Sequence, residues 1–341
     1  MWRVRQRTHG WLQCEVMPSS DAPENLAVAE RRPRAVRWLN AAGVIAALVA
    51  VALCAKALAD DWERVRHSIA HANLGWIAVA LCCGAAGMTF LGMLWWSCLH
   101  VFGDPQRRGH AVAWYFGGEL GKYLPGGIWP VVGRGELAQR AGVRRTSAYA
   151  TTLLSYAVMC IAAAIVCAAL LPFAGARHGL GWGWAALAVI PAGVAAVHPA
   201  ILGRVLALGQ RLTRGRVSLD PPPWPAMLGL IVRAIPTWLL VGMASVAVTE
   251  SLGYHQRPSQ VAFAAVAAWI LGFLAVPVPA GAGVRELVFV AFSGLAGGPA
   301  TAVATIARVL LVIVDAIGGL LGLWFARRTA ANTLSAANFP D

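Results

Sequence analysis

Two interruptions decide what this otherwise oily chain can become. At 118–136 it reads GELGKYLPGGIWPVVGRGE, and at 276–286 it reads VPVPAGAGVRE. Each passes from an apolar stretch through a Pro/Gly break to a basic and an acidic residue, Arg134 with Glu136 and Arg285 with Glu286. Proline and clustered glycine stop a helix, and the backbone groups they release find no partner in hydrocarbon. Both segments are therefore expected to line protein or a water-filled cavity rather than lipid.

The rest of the chain makes hydrocarbon the relevant solvent. Of its 341 residues 58% are hydrophobic and 13% charged, with a mean hydropathy of +0.63. That composition describes an all-α polytopic integral membrane protein. Apolar runs at 38–59, 74–102, 146–172, 182–202, 224–250 and 300–326 are each long enough to cross about 30 Å of hydrocarbon. With the two broken regions, 111–134 and 261–297, this gives six to eight transmembrane helices.

The net charge of +13 is a topology signal rather than a sign of nucleic-acid binding. With the N-terminus in the cytoplasm, Lys and Arg collect in 1–37, 103–145 and 203–223 and at Arg327 and Arg328, while the opposite face holds only Arg64, Arg66, Arg177 and Arg257. This positive-inside pattern places both termini in the cytoplasm and the chain in the cytoplasmic (inner) membrane. The expected organisation is a flexible basic arm over 1–37, a membrane domain over 38–326 and a short tail over 327–341. Lys56, Arg233, Arg285 and Arg308 fall inside apolar segments.

A helix over 111–124 would be about 21 Å long, too short to cross, before Pro125, Gly126 and Gly127 stop it. The run of Pro277, Pro279, Gly281 and Gly283 separates 261–276 from 284–297 in the same way. The first pair would enter from the cytoplasm and the second from outside; reading 261–297 as two short full spans keeps the same parity. Interrupted segments at corresponding places with opposite orientation point to re-entrant elements, an inverted repeat and a binding site near the midplane.

The motif ELGKYLPGGIWPVVGR, the later VPVPAGAGVRE and the final helix bearing Arg308 resemble the lysylphosphatidylglycerol synthase/flippase transmembrane family. The resemblance covers about 38–326. It implies a lipid flippase module, here standing alone without the soluble domain that aminoacylates phosphatidylglycerol in the best understood members. The expected activity is translocation of an anionic phospholipid or a polyprenyl-phosphate-linked lipid.

Carrying a phosphate through hydrocarbon needs polar groups that replace water without holding too tightly. Arginine suits this, because its planar guanidinium pairs bidentately with phosphate oxygens and stays charged. Arg134, Arg285 and Arg308 are therefore the candidate phosphate contacts, with Lys122 and Tyr123 at the cytoplasmic entrance. Gly126, Gly127, Gly281 and Gly283 allow close backbone approach, and the helices restarting after them offer free N–H groups to an anion. Glu286 and Asp315 are the carboxylates for ion coupling.

Each of these residues also has a plainer reading. Glu119 and Lys122, three apart, can simply pair; Arg134 beside Glu136 can snorkel to headgroups. Arg308 and Asp315 lie two helical turns apart, about 10 Å along the axis, so each should find a partner on another segment. Their insertion costs roughly 2.5–3.5 kcal/mol apiece, which argues for a role or an obligate partner. Arg233 can stabilise a kink at Pro236 as well as contact a substrate.

Trp38, Trp76, Trp182, Trp184 and Trp224 fall at helix ends and read as an interfacial belt; Trp129 is the tryptophan expected near a site. The seven cysteines lack CxxC spacing and read as packing residues. His67 and His71 read as part of a polar loop rather than a metal site. No cofactor is called for. No pattern of metal ligands or of a nucleophile with its base supports enzyme chemistry, which leaves an intramembrane transferase the weakest alternative. A non-transporting membrane partner of a lipid-modifying or envelope-assembly enzyme is the stronger one.

Overall fold

A computed structural model describes residues 72–124, 128–174, 186–196, 222–275 and 283–338, together with Gly281 and a few positions between 198 and 207. The chain divides into units 1–45 and 46–341, and every described residue belongs to the second. The expected basic arm, the span 38–59, His67, His71, Gly126 and Gly127 lie outside the described residues.

All regular structure among the described residues is helical. The elements are α1 (Leu74–Val101), α2 (Arg108–Glu119), a 3-10 turn (Leu120–Tyr123), α3 (Trp129–Arg140), α4 (Arg145–Leu170), α5 (Val189–Ala196), α6 (Trp224–Ser251), α7 (Pro258–Leu274), α8 (Val284–Phe292) and α9 (Gly297–Asn338). Four described helices, Leu74–Val101, Arg145–Phe173, Trp224–Ser251 and Gly297–Arg328, are long and apolar enough to cross a bilayer. The chain is thus a polytopic membrane protein. Of the expected span 182–202, residues 182–185 with Trp182 and Trp184 lie outside the described residues, and a short 3-10 turn, Ala186–Ala188, leads into α5.

The helices recur in one order: long, short, short, long. In the first half, α1, α2, α3 and α4 have 28, 12, 12 and 26 residues. In the second, α6, α7, α8 and α9 have 28, 17, 9 and 42. The connections repeat as well. Phe102-Gly103-Asp104-Pro105-Gln106-Arg107 joins α1 to α2, and Leu252-Gly253-Tyr254-His255-Gln256-Arg257 joins α6 to α7. Gly103 and Gly253 end their helices in the left-handed region at φ 76° and 73°, a conformation that glycine adopts without strain.

The long helices of the two halves run antiparallel against each other. At one end the Asn73 N–H, which caps α1, donates to the Ser251 carbonyl at 2.8 Å. Halfway along, Thr237 Oγ1 donates to the Gly87 carbonyl at 3.3 Å. Equal steps forward on α1 and backward on α6 connect these two contacts. These two long helices are therefore antiparallel along their length.

Helix α4 packs beside this spine and takes an indole hydrogen bond from each long helix. Trp95 Nε1 donates to Thr152 Oγ1 at 3.0 Å and Trp238 Nε1 to the Met159 carbonyl at 3.1 Å. Both tryptophans are fully buried, so each indole N–H needs such a partner.

At 1.5 Å per residue, α2 and α3 are each about 18 Å long and α8 about 14 Å, short of a full crossing. In the first break, a Cβ added to Gly121 would lie 2.7 Å from the Trp129 carbonyl carbon and 2.8 Å from the Pro130 nitrogen. Those are backbone atoms and cannot swing away. Gly121→Ala is therefore expected to destabilise the fold by about 1–3 kcal/mol through overpacking, seen as a lower Tm of the detergent-purified protein.

The expected helix over 284–297 ends earlier, at Phe292. The chain turns there at Gly294, whose φ is 74°, and α9 begins at Gly297. Arg233 is exposed, and α6 continues through Pro236 as one helix.

Candidate functional site

The broken segments of both halves and the final helix converge on one cavity. From the first break come Lys122 and Tyr123, from α8 Arg285 and Glu286, and from α9 Arg308 and Asp315. Met88 of α1, Ser245 of α6 and Trp269 and Ala265 of α7 complete much of the wall. The space open to the centres of water molecules is about 70 Å³, room for roughly five waters.

Each charge on α9 meets a partner from another segment, as the seven-residue spacing requires. Asp315 Oδ2 accepts from Lys122 Nζ at 2.7 Å and from the Tyr123 hydroxyl at 2.7 Å. Arg308 Nη1 donates to Glu286 Oε1 at 2.5 Å. Lys122 also donates to Glu119 Oε1 at 3.0 Å, the i,i+3 pair anticipated from the motif.

Arg134 lies apart from this group. It is buried and ion-paired with Glu119 Oε2. Its guanidinium carbon stands 3.9 Å from the Tyr115 ring centre and 5.3 Å from that of Tyr156, where the ring faces attract a cation. Arg134 neither snorkels nor pairs with Glu136, which is exposed. Two residues apart on a helix, those side chains point away from each other.

Arg285 differs from the other two cations of the cavity, having no carboxylate partner among the described residues. Its guanidinium carbon lies 4.7 Å from the ring centre of Trp269, and its Nε is buried with no hydrogen-bond partner among the described residues. The side-chain stem lies against Gly272 of α7, where a Cβ would collide with Arg285 Cγ. Three cations, Lys122, Arg285 and Arg308, face two carboxylates, Glu286 and Asp315, in the cavity wall. Arg285 is the cation of the three that makes no direct ion pair among the described residues.

Of the two described glycines in the second break, Gly281 closes the turn against Gly272 with a φ of 66°. Gly283 caps α8 at φ 80° with open space around it. Trp129 is 43% exposed and lies outside the cavity wall; the aromatic residue beside the charges is Trp269. Sequence reasoning passed over Trp269, although it sits 150 residues after Glu119, the same offset that relates Gly103 to Gly253. Trp76 and Trp224 stay at exposed helix ends, consistent with an interfacial belt.

A polytopic helical membrane protein with antiparallel long helices and a charged cavity beside its broken helices is a definite class of molecule. Residues 40–319 match the family described as Lysylphosphatidylglycerol synthase TM region, and the chain belongs to that family. No curated protein matches it. Membership links the chain to membrane lipid modification or flipping.

Proposed function

We propose that the protein is a lipid translocase that moves a phosphate-bearing lipid, an anionic phospholipid or a polyprenyl-phosphate-linked lipid, across the cytoplasmic membrane. The observation that carries this reading is Arg285, a cation in an intramembrane cavity without a carboxylate partner among the described residues. A lone charge at that depth is costly unless an anion joins it, and guanidinium is the group best shaped for phosphate.

Lys122, Tyr123, Arg308 and Gly283 surround the phosphate in this reading, and Glu286 and Asp315 are available for ion coupling. Arg134 serves instead as a structural charge. The broken pairs α2/α3 and α7/α8 act as re-entrant elements that reach half depth from opposite faces. The cavity admits a phosphate-sized group while the acyl chains stay in the surrounding lipid. Both termini lie in the cytoplasm, following the distribution of Lys and Arg.

The test is reconstitution of the full chain in vesicles carrying trace phospholipids or polyprenyl phosphates labelled on their tails. Translocation appears as label becoming accessible to a membrane-impermeant quencher. Transfer well above that in protein-free vesicles is expected, with ion gradients applied across the membrane in parallel. Folded protein that moves none of these lipids would sink the reading and favour a non-transporting partner of a lipid-modifying enzyme.

A further inference from the structure

Two carboxylate oxygens of the cavity-lining residues are left over among the described residues. Asp315 commits Oδ2 to Lys122 and Tyr123, and Glu286 commits Oε1 to Arg308. Asp315 Oδ1 and Glu286 Oε2 are buried with no donor within hydrogen-bond reach among the described residues. Arg285 Nε, from the same wall, is buried without an acceptor among the described residues. Buried polar atoms lacking partners are expensive, and native proteins keep few of them.

The two kinds of leftover atom differ in what they ask of a ligand. Arg285 lacks an acceptor, which a phosphate supplies. The carboxylates lack donors, which a phosphate diester cannot supply. Resting on the translocase reading, we propose that the headgroup taken by this site carries an N–H or O–H donor in addition to its phosphate. Asp315 and Glu286 receive that donor, and Arg285 holds the phosphate. Phosphoethanolamine and phosphoglycerol headgroups belong to this class. Phosphocholine, whose nitrogen is fully methylated, and phosphomethanol do not.

Two pairs of lipids separate donor from charge. Phosphatidylethanolamine and phosphatidylcholine have the same net charge, as do phosphatidylglycerol and phosphatidylmethanol, and only the first of each pair carries a donor. With tail-labelled forms at trace level in one host lipid, the reconstituted full chain is expected to move the donor-bearing member about tenfold faster in each pair, the cost of leaving a buried acceptor unmatched. In Asp315→Asn and Glu286→Gln the preference should shrink, because an amide replaces one leftover oxygen with an N–H.

Equal rates within both pairs would overturn this inference, water then sufficing for the carboxylates, and would leave the translocase reading standing. Failure to move any of the four lipids, or any polyprenyl phosphate, by folded protein would overturn the translocase reading itself. The comparison on the unmodified chain decides the matter even if the variants do not fold.

Discussion

Arg285→Ala is expected to lower lipid translocation by about tenfold to a hundredfold, because a hydrogen bond to a charged group contributes roughly 1.5–3 kcal/mol. Folding should survive. Among the described residues Arg285 breaks no ion pair when it is lost, and its Nε already lacks a partner. The guanidinium stacks on Trp269 and its stem packs on Gly272, so a modest loss of Tm is expected from the lost packing alone. Arg285→Lys separates charge from shape: it keeps the charge but loses the planar fork, and should recover only part of the rate. The measurement is initial rate in vesicles alongside the detergent Tm, and an unchanged rate in Arg285→Ala would remove Arg285 from the phosphate site.

The second large effect lies in the first half. Glu119→Ala strands Arg134 in the interior, and removing one partner of a buried ion pair costs about 3–5 kcal/mol. Most of that loss should return in the double variant Glu119→Leu/Arg134→Met, since replacing both partners with apolar residues of similar volume is often close to neutral. Thermal unfolding of Glu119→Leu, Arg134→Met and the double variant closes a cycle. If the double variant is as unstable as the sum of the singles, the pair is not acting as a unit. Lys122, which also holds Glu119, would have to turn wholly to Asp315 in these variants, so translocation is best read beside stability.

Much of the helical layout was legible because the ends of apolar runs are marked by charge, proline and glycine. The expected span 74–102 is α1, Leu74–Val101, and 224–250 is α6, Trp224–Ser251. The internal repeat was also present in the letters, as a Gly-x-x-Gln-Arg connection after each 28-residue helix. The charges of the cavity stood out for a different reason: Arg285, Arg308 and Asp315 are anomalies in apolar sequence, and an anomaly can be seen without knowing its neighbours.

Partner choice was less visible. In the sequence Arg134 reads as a phosphate contact or a snorkelling arginine, and the carboxylate that meets it comes from fifteen residues earlier across the break. Trp269 escaped notice because an aromatic residue inside an apolar helix looks like packing. Its relation to Arg285 exists only once α7 and α8 fold back on each other. The end of α8 was placed too late, since Ala296 and Gly297 continue an apolar run that the turn at Gly294 cuts.

The antiparallel contact of α1 with α6 has a consequence for energetics. Two copies of one unit related by a half-turn form a frame whose two tilted states, one open to each side of the membrane, are geometrically interchangeable. By itself such a frame has no preferred side. The side chains remove that degeneracy: the arginine of the first half is neutralised by Glu119, while that of the second rests on Trp269, at the position corresponding to Glu119. In the proposed translocase the two empty states would differ in energy, and an anion at Arg285 would change the difference. In that reading the exchange of carboxylate for indole is one difference between the halves that would set the two sides of the membrane apart.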